Sequence, residues 1–194
     1  MIRLTIRTTE RVRVVSPYDA AVTAALRAQL LARDLSGLTN LKLGDATWFE
    51  LRGLSDGEIR QLRPLMPAMP VEAAAWLRSL GEVEPGDTRP EPTDAQARQF
   101  LGYQTELGLV FLRACLEQVT NLPEWPTQRE PFLGLELWPA AAVDSLGPTA
   151  TWLAELALSL NTLSAEKKTV SGSPPAGASG TTAAEVETAA SANG

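Results

Sequence analysis

Apolar and polar residues alternate strictly along Ile2-Arg3-Leu4-Thr5-Ile6-Arg7. They alternate again, after the polar link Thr8-Thr9-Glu10, along Arg11-Val12-Arg13-Val14-Val15. A period of two belongs to a half-buried strand, and two such runs around a short link predict a β-hairpin. Its wet face would carry Arg3, Arg7, Arg11 and Arg13. Beyond Val15 the spacing changes to that of a helix. Ser16 is placed to cap, Pro17 suits the first turn, and Val22, Leu26, Leu30 and Leu31 fall on one stripe before Ser36-Gly37 ends it. Ala46–Arg52 is dense in aromatic and β-favouring side chains and predicts a further strand.

The rest reads as helices separated by proline. Ser55 and Glu58 form a capping box, followed by Ile59, Leu62 and Leu65 on the inward side and limited by Pro64. A helix from Met69-Pro70 carries Ala74, Trp76, Leu77 and Leu80 up to Gly81, and a proline-rich acidic loop follows over 82–92. Thr93 and Gln96 make a second capping box. The helix they open has Phe100, Leu107, Phe111, Ala114, Cys115 and Val119 on one face and is expected to reach about Asn121. Leu122–Pro131 predicts a loop, Trp138-Pro139 a short helical turn, and Pro148 the start of a last helix with Trp152, Leu153, Leu156, Leu160 and Leu163 inward. The pattern is α+β: a small N-terminal antiparallel hairpin or sheet covered by five or six helices.

Composition divides the chain. Thr169–Gly194 holds Ser, Thr, Gly, Ala and Pro with Glu185 and Glu187 as its charges, too little apolar surface to offset ordering entropy. The expected organisation is therefore one domain over 1–168 and a disordered low-complexity tail over 169–194. The net charge of −6 is uneven. Residues 1–63 carry ten Lys/Arg against seven Asp/Glu, and 64–168 carry seven against fourteen. That basic excess is too small and too mixed to indicate nucleic acid. The start lacks the apolar core of a signal peptide, no apolar run is long enough to span a bilayer, and the one cysteine fits a reducing compartment, so a cytoplasmic protein is expected.

Candidate chemistry is sparse. The chain has no histidine, which removes the commonest general base, the Ser-His triads and most zinc chemistry. Cys115 lies in an apolar helical pattern without a partner base, and no glycine-rich phosphate loop occurs. Glu82, Glu84 and Asp87 cluster without calcium-loop spacing and read as a solvated loop. No catalytic residue, metal or cofactor is expected. Trp125 and Trp138 stand beside prolines, and with Trp48 and Phe49 they are the candidate partner-binding residues, because exposed aromatics mark protein interfaces.

Over Trp48–Leu65 the sequence resembles tail assembly chaperones of long-tailed phages. The strand that ends in Leu51-Arg52-Gly53-Leu54-Ser55, stepping into a helix with an early Glu58, carries the resemblance. A second match is the closing segment from Leu153-Ala154-Glu155-Leu156 to Glu166-Lys167-Lys168, similar to that family's last helix and its charged stop. The resemblance covers about a fifth of the chain. It implies a non-enzymatic protein of the infected cell that holds a long, helical tape-measure protein during tail assembly, and a Lys-Lys step compatible with a frameshift junction into an extension. The alternatives are a structural neck, connector or other virion component, homo-oligomeric in that case, and a small regulatory or nucleic-acid-binding protein. The first two require a protein partner and none requires a membrane.

Overall fold

The computed structural model describes residues 11–36, 38, 41–82 and 88–170, with side chains as far as Asn161. The fold is α+β. The expected strand Ile2–Arg7, with the hairpin it would close, and residues 171–194 lie outside the described residues.

At the centre is a three-stranded antiparallel sheet in the order β1 (Arg11–Val15), β2 (Trp48–Arg52), β3 (Leu116–Thr120). Val14 faces Phe49 across the first pair and Phe49 faces Val119 across the second, with a register shift between Glu50 and Leu51. Both sides of the sheet contribute to the core, since neighbouring residues Val14 and Val15, and Trp48 and Phe49, are buried together. A second, two-stranded hairpin joins β4 (Glu130–Phe132) to β5 (Leu135–Leu137). Its tip is Leu133-Gly134, with φ of 47° and 85°. Two consecutive positive φ values are what a two-residue hairpin turn compatible with strand twist demands, and leucine is an uncommon residue for the first of them.

Six α-helices surround these strands among the described residues: α1 (Ala24–Leu31), α2 (Asp56–Leu62), α3 (Val71–Gly81), α4 (Asp94–Cys115), α5 (Ala140–Asp144) and α6 (Pro148–Val170). A single 3-10 turn, Arg63–Leu65, extends α2 at Pro64. Both capping boxes form: Ser55 Oγ accepts from Glu58 N, and Thr93 Oγ1 from Gln96 N, each at 3.3 Å.

Three sequence expectations need correction. The first helix does not open at Ser16. Ser16 Oγ accepts the backbone N–H of Tyr18, and Asp19 Oδ1 accepts that of Ala21, so both side chains stabilise turns in competition with the helix. The helix waits for Thr23, which caps Leu26 N, and it ends at Leu31, leaving Leu31 half exposed. The long helix stops at Cys115 rather than near Asn121. Leu116 turns to extended backbone, and Leu116–Thr120, with β-branched Val119 and Thr120, satisfies the second edge of β2. The loop expected over Leu122–Pro131 gives way at Glu130 to the β4–β5 hairpin, whose three-residue strands carry too short a period to show. The last helix, α6, is described as far as Val170.

The helices α4 and α6 form the main packing interface and run in the same direction. Gly108 lies against Ala154, and two turns further on Cys115 lies against Asn161. A Cβ at position 108 would sit 2.7 Å from the Ala154 carbonyl oxygen, so only glycine allows this approach. Asn161 is the polar link between the elements. Its Oδ1 accepts Leu54 N at 2.9 Å, and its Nδ2 donates to Ala157 O at 2.6 Å and to Cys115 Sγ at 3.2 Å.

Candidate functional site

The four aromatic residues singled out as a binding patch do not form one on the surface. Trp48, Phe49 and Trp138 are buried at 5%, 1% and 7% exposure, and Trp125 is partly buried against them. Each ring has an internal role. Trp48 Nε1 donates to Leu43 O, and the Arg13 guanidinium stacks 4.4 Å from its ring. Trp138 Nε1 donates to Leu116 O at 2.6 Å, Arg129 covers its ring at 4.6 Å, and Trp125 packs edge-on at 5.2 Å. Arg129 also donates to the carbonyls of Leu116 and Glu117 and so closes the outer edge of β3. Trp125 and Trp138 thus fasten the 122–138 segment onto the sheet. The Trp125 indole N–H is buried without a hydrogen-bond partner.

Two of the four nevertheless meet at a cleft. Phe49 and Trp125 line a cavity of about 310 Å³ together with Tyr18, Asp19, Thr47, Glu124 and Thr149. Four separate stretches of chain build it. The Ser16–Asp19 turn is locked by Ser16 Oγ to Thr149 Oγ1 at 2.7 Å, and by Asp19 Oδ2, which accepts Thr47 N at 2.9 Å. The cleft is lined by two carboxylates, several hydroxyls and three aromatic rings, and by no Lys or Arg. Asp19 and Thr149 are not among the candidates from sequence. The cue is a polar Ser-Pro-Tyr-Asp turn, which reads equally well as a helix start.

Of the four arginines expected on the hairpin's wet face, Arg3 and Arg7 lie outside the described residues, and Arg11 and Arg13 both have partners. Arg11 meets Glu117 at 2.6 Å, and Arg52 bridges Glu117 and Glu58 at 3.2 and 2.6 Å. Arg11 is thus held by Glu117, and Arg13 lies over the Trp48 ring. Cys115 is fully buried, and desolvation pushes its thiol up to about 12, against a smaller lowering by the Asn161 hydrogen bond. Such a thiol stays protonated at neutral pH and is a poor nucleophile. Among the described residues no group of His, Cys, Asp and Glu is placed to hold a metal ion, and no helix is long and apolar enough to cross a membrane.

Apolar surface is displayed elsewhere. The helix α3 packs chiefly on α4, through Trp76 against Phe100 at 5.6 Å and Glu72 to Gln99 at 3.2 Å. It buries only Ala73. The first half of α4 buries nothing before Gly108. The stripe that packs Gly108 on α6 continues N-terminally to Leu101, about two helical turns before the contact. Leu101 is 60% exposed, and Val71, at the start of α3, is 83% exposed. Compared with protein families, curated proteins and solved structures, the chain matches none of them.

Proposed function

We propose that this chain is a non-enzymatic assembly protein that binds another protein through the α3–α4 arm, in the manner of a phage tail assembly chaperone holding its tape-measure protein. The observation that carries the reading is the arm itself: two amphipathic helices with almost nothing buried and with Leu101 and Val71 presented to solvent. An isolated pair of helices is marginal in water, and its apolar stripe is the kind of surface that takes an amphipathic helix from a partner. Tape-measure proteins, long and helical, present such segments repeatedly. The resemblance of Trp48–Leu65 to the chaperones lies in the β2–α2 step, which here is part of the core and not of the arm.

The test is co-expression with the neighbouring genes followed by affinity capture. The native chain is expected to retain one long helical protein, and to keep it in the soluble fraction. A Leu101→Asp, Val71→Asp variant is expected to fold and to lose that partner, because both positions are exposed. Retention of the partner by the variant overturns the arm as the binding surface. Recovery of the chain in finished particles with neck or connector proteins overturns the chaperone reading in favour of a structural component.

A further inference from the structure

The cleft between the Ser16–Asp19 turn and Trp125 is lined by two carboxylates and by no cation. From its lining we infer that it is a receptor for the guanidinium of an arginine side chain carried by the partner protein, an inference that rests on the protein-binding function proposed above. Three properties point to this ligand. The first is charge: Asp19 and Glu124 line the cleft and no cation does, and Glu124 is exposed with no ion pair among the described residues. Asp19 holds one backbone N–H on each oxygen, at 2.8 and 2.9 Å, which fixes the carboxylate while leaving each oxygen a further lone pair for a donor. The second is aromatic surface. Tyr18, 51% exposed, and the half-buried Trp125 line the cleft, and arginine is better suited to stack on such rings than lysine because its guanidinium is planar and weakly hydrated. The third is size, since about 310 Å³ lies at the lower end of ligand clefts and suits a single long side chain rather than a folded element.

The cleft is rigid where it binds and open where the ligand enters. The Ser16–Thr149 hydrogen bond and the Asp19–Thr47 bond tie its floor to α6 and to the approach to β2. Tyr18 and Glu124 stand at its exposed rim. An arginine seated there would exchange hydration for two carboxylates and a stacked ring, a charge-assisted arrangement of the kind that fixes register between proteins more than it adds affinity.

The test is a titration of the full chain with N-acetyl-arginine methylamide, followed by proton–nitrogen NMR. Saturable shifts are expected at Tyr18, Asp19, Thr47, the Trp125 indole and Thr149, and none from the uncharged N-acetyl-norleucine methylamide. Tyr18→Ala and Glu124→Gln, both at exposed positions, are each expected to weaken the arginine response by about two- to fivefold, the range for a surface cation–π or charge contact. Equal responses to arginine and norleucine, shifts centred elsewhere, or no saturation overturn the assignment. So does spermidine binding as well as the arginine amide, because the ligand would then be a free polyamine. The probe needs no partner, so failure here removes the cleft alone, whereas failure of the capture experiment removes the protein-binding function.

Discussion

At the scale of single residues, two glycines in α4 make opposite demands. Gly108 allows the helix to touch Ala154, and a methyl group there would meet backbone that has no room to yield. Gly108→Ala is expected to destabilise by about 1–3 kcal/mol, the usual range for overpacking, and to lower Tm by several degrees. Gly102 lies six residues earlier in the same helix, and a methyl group there would meet nothing within 4 Å. Gly102→Ala is therefore expected to stabilise by about 0.5–1 kcal/mol through helix propensity alone. Urea titration of the two variants distinguishes helix propensity from helix contact, and equal signs would show that the α4–α6 approach is looser than its geometry. Asn161 makes a further residue-level case. Replacement by leucine keeps the volume and strands Leu54 N, a buried donor, so Asn161→Leu is expected to lose about 1–3 kcal/mol in the same titration despite its added apolar surface. A loss below that range would mean that Leu54 N finds another acceptor.

At the scale of elements, local signals and tertiary pairing share the control. The α2 capping box is readable from Ser55 and Glu58 alone, and so is that of α4 from Thr93 and Gln96, because both ends of each bond lie within one turn. The end of α4 is not readable. Cys115-Leu116-Glu117-Gln118-Val119 continues the helical apolar spacing, and only the free edge of β2, more than sixty residues earlier in the chain, turns Leu116–Thr120 into a strand. The β4–β5 hairpin is hidden for a different reason: its strands span three residues each, one contains Pro131, and its turn uses leucine where asparagine would have announced it. Glu58 shows how an element acquires a pH dependence. Burial raises its pKa, but the Arg52 hydrogen bond and those from Ser55 outweigh that, and the net shift is downward from 4.5. A depressed carboxyl adds stability above its unfolded value and loses it as pH falls through the folded one. Stability is thus expected to decline below about pH 4.5, and Glu58→Gln to be less stable at neutral pH with a shallower acid limb. An unchanged acid limb in the variant would assign acid unfolding to other carboxylates.

At the scale of the whole molecule, the candidate sites depend on assembly and so are least visible in the sequence. Tryptophans beside prolines suggest an exposed patch, yet Trp138 fills the core because the 122–138 segment folds back over β3, and its N–H, like that of Trp48 in β2, finds a carbonyl partner. The cleft draws on four stretches of chain, and none of them alone has a recognisable pattern. The arm is illegible because helical periodicity shows that a stripe exists and not whether anything covers it. Phe111, Leu112 and Cys115 are covered by α6 and the sheet, whereas Leu101 on the same helix is open. That contrast predicts unequal stability along one helix. Amides of α3 and of the first half of α4 are held by local hydrogen bonds over few buried contacts, and those near Cys115 can open only with the core. Native-state hydrogen exchange is expected to show protection at least about tenfold lower over 71–81 and 94–107 than over 111–115, and a bound helical partner should raise the first group toward the second without moving the other, since binding stabilises only the states that can bind. Uniform protection along α4 in the free chain would mean that the arm is rigid on its own, leaving its exposed leucine as surface rather than as half of an interface.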